Sequence, residues 1–354
     1  MPELGIIEGY FGRAWSWEDR AAVVTTLAAA GFSYFHYAPK AEAKLRKAWR
    51  DPFSISEINA LSHFAEICHQ QGMRFGVGLT PFAAHLDFSP DVRADMKAKL
   101  AQLDAVRIDD LAILFDDMDG DVPDLAQRQA EIIAFACDNG RAATFFTCPS
   151  YYSDDGVLDR VFGPRPPHYL EDFGRNIDPA IAIYWTGEEV CSAEISPGHL
   201  INVADRLGRK PALWDNYPVN DGPRMAQYLH LRGFTGRSVA AGKLITHHAI
   251  NPMSQPRLGC IPALTLPMLY AQGPDYCYGK AFRAGAEAAV GNELAAMLQA
   301  DLLTLADSGL DRLSAARKAK LVARYAAIDH PAAREVADWL NGGYAITGEM
   351  LRTQ

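Results

Sequence analysis

Eight short apolar runs recur through the first 250 residues of this 354-residue chain, each followed by polar or glycine-rich residues and then by an amphipathic stretch. They are "LGIIEG" (4–9), "SYFHYAP" (33–39), "RFGVGLTP" (74–81), "LAILFDD" (111–117), "ATFFTCP" (143–149), "AIAIYWTG" (180–187), "PALWDN" (211–216) and "LITHHAI" (244–250). Their hydrophobicity is nearly continuous rather than alternating, which is what strands of a parallel sheet buried on both faces require. The segments between them carry helix signals. "SWEDRAAVVTTLAAAG" (16–31) opens on a cap-type Ser and closes on Gly, and "SISEINALSHFAEICHQQG" (54–72) repeats the pattern with Ser54 or Ser56 as cap. Residues 89–105 and 121–140 read the same way.

Strand–helix alternation repeated about eight times predicts an α/β fold, a (β/α)8 TIM barrel, with a doubly wound open sheet as the competitor. No GxGxxG or GxxxxGK[ST] loop follows any strand, which weighs against the nucleotide-binding open sheet. From about residue 281 the chain turns alanine- and leucine-rich, with helical periodicity and no further strand runs. The expected organisation is therefore a barrel over residues 1–290 and a small C-terminal α-helical appendage over 291–354.

Bulk properties narrow the function classes. A net charge of −9 argues against a nucleic-acid or anionic-membrane binder, since either needs a basic face. The short basic cluster "RLGRK" (206–210) reads as a solvated loop. Six cysteines show no CxxC pair and no metal-ligand spacing, and His247-His248 reads as a strand doublet. No metal and no cofactor is expected. The sequence shows no signal-peptide pattern and no apolar run near the ~20 residues of a membrane span, so a cytoplasmic, reducing setting is expected.

The catalytic groups of such barrels lie at the carboxyl ends of the strands. Read in order, those ends carry Glu8-Gly9-Tyr10, Tyr37 and Lys40, Asp116-Asp117, Tyr151-Tyr152, Trp185, Trp214-Asp215-Asn216 with Asp221 close behind, and Asn251. A mouth of aromatics, carboxylates and amides suits a sugar, whose apolar faces stack while its hydroxyls take directional hydrogen bonds. The Asp116-Asp117 doublet stands out because adjacent carboxylates repel. Taken alone it fits a solvated acidic loop as well as a working pair.

Glycoside hydrolysis ordinarily uses two carboxyl groups flanking the scissile bond. Chain neighbours do not easily flank a bond, but they can serve adjacent atoms on one face of a sugar. One acid then protonates the leaving oxygen while the other steers an internal nucleophile, the 2-acetamido group of an N-acetylhexosamine.

Several segments, in order, resemble the catalytic domain of the family-84 glycoside hydrolases, the O-GlcNAcase and β-N-acetylglucosaminidase family. They are "GIIEGYFGRAW" (5–15), "YAPK" (37–40) running on to "RKAWR" (46–50), "ILFDDMD" (113–119), "TCPSYY" (147–152), "WTG" (185–187), "WDNYPVND" (214–221) and "INP" (250–252). The resemblance implies that Asp117 is the general acid/base and that Asp116 orients the acetamido group and stabilises an oxazoline-like intermediate. It implies that Tyr152 and Trp214 wall the acetamide pocket. It further implies that Gly9, Lys40, Asn216, Asp221 and Asn251 hold the sugar, with Asp221 on hydroxyls far from the scissile bond. The sequence departs from the family's pattern at Ala41-Glu42 after "YAPK", in the order Tyr10-Phe11, and at Ala14.

Other residues at these ends read as structural. Glu8 and Asp215 are expected to make buried hydrogen bonds, Trp185 divides between pocket floor and scaffold, and Tyr151 between cleft and surface. The resulting expectation is a retaining, exo-acting β-N-acetylglucosaminidase whose partner is a β-linked N-acetylglucosaminide on a small glycoside, peptide or protein. A non-catalytic N-acetylglucosamine-binding barrel and an endo-acting, hyaluronidase-like hydrolase are the alternatives. The amphipathic C-terminal helices are candidate homodimer material.

Overall fold

The computed structural model describes residues 1–354. Eight parallel strands close into a barrel in sequence order: β1 (Glu3–Glu8), β2 (Phe32–Tyr37), β3 (Arg74–Leu79), β4 (Asp110–Leu114), β5 (Thr144–Cys148), β6 (Ala182–Trp185), β7 (Ala212–Asp215) and β8 (His247–Ile250). The closing ladder pairs β1 with β8, Leu4 opposite His248 and Ile6 opposite Ile250, which rules out the open sheet. The fold is a TIM barrel.

Each strand corresponds to one of the eight apolar runs, and all the runs but the last extend past the strands at their carboxyl ends. Gly9, Phe115 to Asp117, Pro149 and Asn216 lie beyond the ladders. Released from the sheet, these residues form the mouth of the barrel.

The helices start where the capping residues predict. Ser16 accepts from the Asp19 N–H before helix Trp17–Ala28. Ser54 and Glu57 form a reciprocal capping box before Ile55–Gln70, which settles the choice between Ser54 and Ser56.

The barrel interior is filled by large rings, and a small residue makes room for them. A Cβ on Gly5 would lie 2.2 Å from the Tyr34 ring, so this strand position must be glycine for Tyr34 to occupy the axis. Beside it His36 bridges Asp110 (Nε2–Oδ2, 3.1 Å) and the Tyr184 hydroxyl (Nδ1–Oη, 2.9 Å). Tyr184 in turn presents its ring edge-on to Trp214, centroids 5.5 Å apart. A buried polar column thus supports an aromatic ring at the mouth.

Glu8 and Asp215 are structural, as expected. Arg20 donates to both Glu8 oxygens at 2.7 and 2.8 Å, with both residues buried. Burial pushes the Glu8 carboxyl up, and the Arg20 charge only partly offsets it. Burial also works to raise Asp215, but Arg237 and His248 hold it down to about 2. Tyr151 is buried, donating to the Gly163 carbonyl at 2.7 Å, and Trp185 is buried with its indole N–H on His199 at 2.9 Å. Both belong to the scaffold.

The helices beyond the barrel are Tyr278–Ala306, Ala315–Ala326, Pro331–Leu340 and Gly348–Thr353. The boundary expected at 290/291 falls inside the first of these, at Gly291, whose φ of 77° and ψ of 164° kink it. Leu294, Leu298, Leu321, Tyr325, Val336 and Trp339 pack around Leu229 and Leu231 from the β7–β8 connection and Leu258 and Ile261 from helix Pro256–Gln272. Glu335 accepts the backbone N–H groups of Arg257 and Leu258, both at 2.9 Å, tying the appendage to the barrel. No helix is long and apolar enough to cross a membrane.

Candidate active site

The turn after β4 carries the two acids and is fixed from one side by β5. The Phe115 N–H donates to the Cys148 carbonyl at 2.9 Å, and the Phe115 carbonyl accepts from the Ser150 hydroxyl at 3.0 Å. Asp117 then adopts φ = 60°, in the left-handed region that Asp tolerates better than most residues. Asp116 and Asp117 therefore sit in a turn rather than on a strand, and the strand's up-down alternation does not separate their side chains.

Both carboxylates converge on one cation. Buried Lys40, from the turn after β2, is ion-paired to Asp116 Oδ2 and lies 3.4 Å from Asp117 Oδ2. Burial alone would lower the Lys40 pKa, but the Asp116 and Asp117 charges together raise it, so the ammonium is held charged. This cation offsets the carboxylate repulsion. Asp117 also accepts from the Tyr152 hydroxyl at 3.1 Å, whereas buried Asp116 Oδ1 has no protein partner.

On the opposite wall, the side chains after β7 and β8 form a chain of amides. The Gly9 N–H donates to Asn251 Oδ1 at 3.2 Å, and Asn251 Nδ2 donates to Asn216 Oδ1 at 2.9 Å. That same oxygen accepts the Trp214 indole N–H at 3.0 Å, and Asn216 Nδ2 donates to the Val190 carbonyl at 2.7 Å. Gly9 has its own steric reason to be glycine: a Cβ there would lie 2.4 Å from Trp214 Cζ2. Asp221 accepts the Phe11 N–H at 2.9 Å. Burial, reinforced by the Asp117 charge, pushes its carboxyl up to about 6, against the lowering effects of the Phe11 hydrogen bond and of Lys40.

These groups surround a cavity of about 200 Å³ that opens to solvent. Gly9, Lys40, Asp116, Asp117, Tyr152, Trp214, Asn216, Asp221 and Asn251 all line it, so all nine residues singled out in the sequence meet at one place. Residues from seven of the eight strand ends contribute, with β3 the exception. Phe11, Cys148, Thr186, Val190, Cys191, Val219 and Leu351 line it as well and were not foreseen. Phe11 and Cys148 lie inside the motifs quoted above and were within reach of the sequence, whereas nothing in the local sequence marks Leu351.

A family model described as beta-N-acetylglucosaminidase matches residues 4–303. The chain belongs to the β-N-acetylglucosaminidase family. Among relatives of this β-N-acetylglucosaminidase-family chain, the protein O-GlcNAcases of Mus musculus and Rattus norvegicus are each 28% identical over 243 residues. The matched region covers 66% of this chain and 26% of theirs, so the chain corresponds to about a quarter of those longer proteins. An O-GlcNAc hydrolase of Thermobaculum terrenum, solved as a mutant, superposes with a TM-score of 0.79 over 96% of this chain and 80% of that one, at 22% identity. That likeness shows the shared barrel fold.

Proposed function

We propose that this protein is a retaining, exo-acting β-N-acetylglucosaminidase that uses the substrate's own acetamido group as nucleophile. The observation that carries this reading is the convergence of Asp116 and Asp117 at one pocket, compensated by Lys40. Carboxylates arranged this way do not flank a scissile bond as a nucleophile and an acid must, but they suit two adjacent atoms of one sugar.

In this mechanism Asp117 protonates the leaving oxygen and later deprotonates the attacking water. Its hydrogen bond from Tyr152 holds the carboxyl in place through both steps. Asp116 turns the acetamido N–H toward its unpartnered Oδ1 and stabilises the positive charge that develops as the carbonyl oxygen closes on the anomeric carbon. Tyr152 and Trp214 wall the acetamide. Gly9, Lys40, Asn216, Asp221 and Asn251 meet the hydroxyls, with Asp221 as the acceptor at the end remote from the reaction.

Family membership and the names of the relatives favour a β-linked N-acetylglucosaminide, on a small glycoside or a modified polypeptide, as substrate. Walls from seven strand ends favour a terminal sugar over an internal one. The free state of all six cysteines supports a reducing, cytoplasmic setting. A homodimer built on the helices beyond the barrel is part of the same proposal, and light scattering of the purified chain tests it.

The function itself is tested by incubating purified protein with an aryl β-N-acetylglucosaminide in the presence of a chelator. Release of the aryl alcohol is expected. A folded protein that releases none contradicts the reading.

A further inference from the structure

The segment 344–354 is not spare chain beyond the appendage but a strap across the rim of the sugar pocket. Its first anchor is Tyr344, whose ring lies under the Arg13 guanidinium at 5.3 Å. Ile346 follows, seated on Gly12 so closely that a Cβ there would be 2.4 Å from Ile346 Cδ1. Thr347 then caps the helix Gly348–Thr353 by accepting the Met350 N–H at 3.2 Å.

The far end of the strap is pinned by polar contacts. The Gln354 side-chain amide pairs with both backbone groups of Gly12, accepting its N–H at 2.7 Å and donating to its carbonyl at 3.3 Å. Arg46 donates to the Gln354 carbonyl and Lys47 to that of Arg352. These anchors all belong to the connections after β1 and β2, so the strap has a fixed place over one sector of the mouth. Between the anchors, Leu351 lines the sugar cavity while staying 37% exposed.

Exposure and cavity lining together put Leu351 at the opening and not at the floor. The other lining residues belong to seven strand ends and their turns, and a group attached to the anomeric oxygen of a bound sugar must reach solvent across the exposed rim that Leu351 borders. We infer that Leu351, held by the strap 344–354, is a specificity-determining residue for the aglycone. It gives apolar contact to a compact leaving group and obstructs a bulky polypeptide one. Phe11 and Val190, at the same cavity, extend the apolar lining. This inference rests on the glycosidase reading above.

The test compares two substrates, an aryl β-N-acetylglucosaminide and a peptide carrying β-linked N-acetylglucosamine on serine. Leu351→Ala is expected to raise the ratio of kcat/KM for glycopeptide over aryl glycoside at least threefold, with the change carried by KM. Leu351→Trp is expected to lower it. Ratios unchanged in both variants overturn the inference. Parallel losses on both substrates with a lower melting temperature also overturn it, because they assign the residue a purely structural role.

If the unmodified protein hydrolyses neither substrate, the glycosidase reading fails by itself. The inference is then decided by calorimetry with the same glycopeptide and free N-acetylglucosamine. A glycopeptide Kd that does not tighten relative to the monosaccharide in Leu351→Ala rejects it.

Discussion

Tyr152 donates its hydroxyl to Asp117 Oδ1 at 3.1 Å from a backbone position that is itself fixed, since the Tyr152 carbonyl accepts the Thr186 N–H at 2.9 Å. The acid is thereby oriented by a side chain whose own place is set by β6. Burial and the nearby Asp117 charge raise the Tyr152 pKa well above that of a free phenol, so it remains a donor across the working pH range. Tyr152→Phe keeps the ring as a wall of the pocket and removes only this bond. A fall in kcat of about tenfold with KM little changed is expected, in line with the loss of one neutral-to-charged hydrogen bond. Steady-state kinetics on an aryl glycoside reads it.

In the proposed mechanism Asp117→Asn removes proton donation but not the pocket. Turnover of a glycoside with a poor leaving group is expected to fall by roughly 10²–10⁴-fold. A highly activated leaving group such as dinitrophenolate departs without protonation, so its release is expected to suffer far less. Equal losses on both substrates contradict the acid/base assignment.

Asp116→Asn is expected to behave differently, because in the proposed mechanism its charge acts on the ring-closed intermediate and not on the leaving oxygen. Losses on the order of 10²–10³ are expected for good and poor leaving groups alike. A leaving-group dependence like that of Asp117→Asn would mean that the two roles are reversed.

The Asp221 carboxyl, raised to about 6, has consequences for pH. In its proposed role as acceptor for sugar hydroxyls it works ionised, so KM is expected to rise as pH falls through about 6, and Asp221→Asn is expected to remove that limb. Stability moves the other way. The folded-state pKa lies above the unfolded one, so the group's stabilising contribution is complete below the unfolded pKa near 4 and is lost as pH rises through about 6. Asp221→Asn therefore gains stability relative to the parent protein at pH 8 compared with pH 4, readable as the difference in melting temperature.

Gly9→Ala forces a methyl to within 2.4 Å of Trp214 Cζ2, and the indole has no room to give because Tyr184 and Asn216 hold it. Weaker binding of N-acetylglucosamine by tenfold or more is expected from calorimetry. A variant that binds like the parent would show that the Trp214 wall does not contact the sugar.

The barrel was legible because a parallel strand buried on both faces leaves an unmistakable apolar run, and because Ser16, Ser54 and their closing glycines punctuate the helices. That the nine candidate residues would line one cavity was legible because strand ends in such a barrel necessarily converge. The conformation of the Asp116-Asp117 turn was not. No glycine announces the positive φ at Asp117, and its convergence on Lys40 depends on a side chain 76 residues away from Asp116. The strap was hidden for a stronger version of the same reason. Its contact between Gly12 and Gln354 spans 342 residues, and no periodicity in an isolated six-residue helix says where it docks.

The central claim is that the substrate's acetamide, positioned by Asp116, makes the first bond to the anomeric carbon. A series of aryl glycosides in which the acetamido methyl carries zero, one, two and three fluorines tests this directly, because each fluorine weakens the carbonyl oxygen as a nucleophile while barely changing its size. The account predicts that kcat/KM falls steeply and monotonically along the series. Rates that stay level from the first member to the last would contradict it.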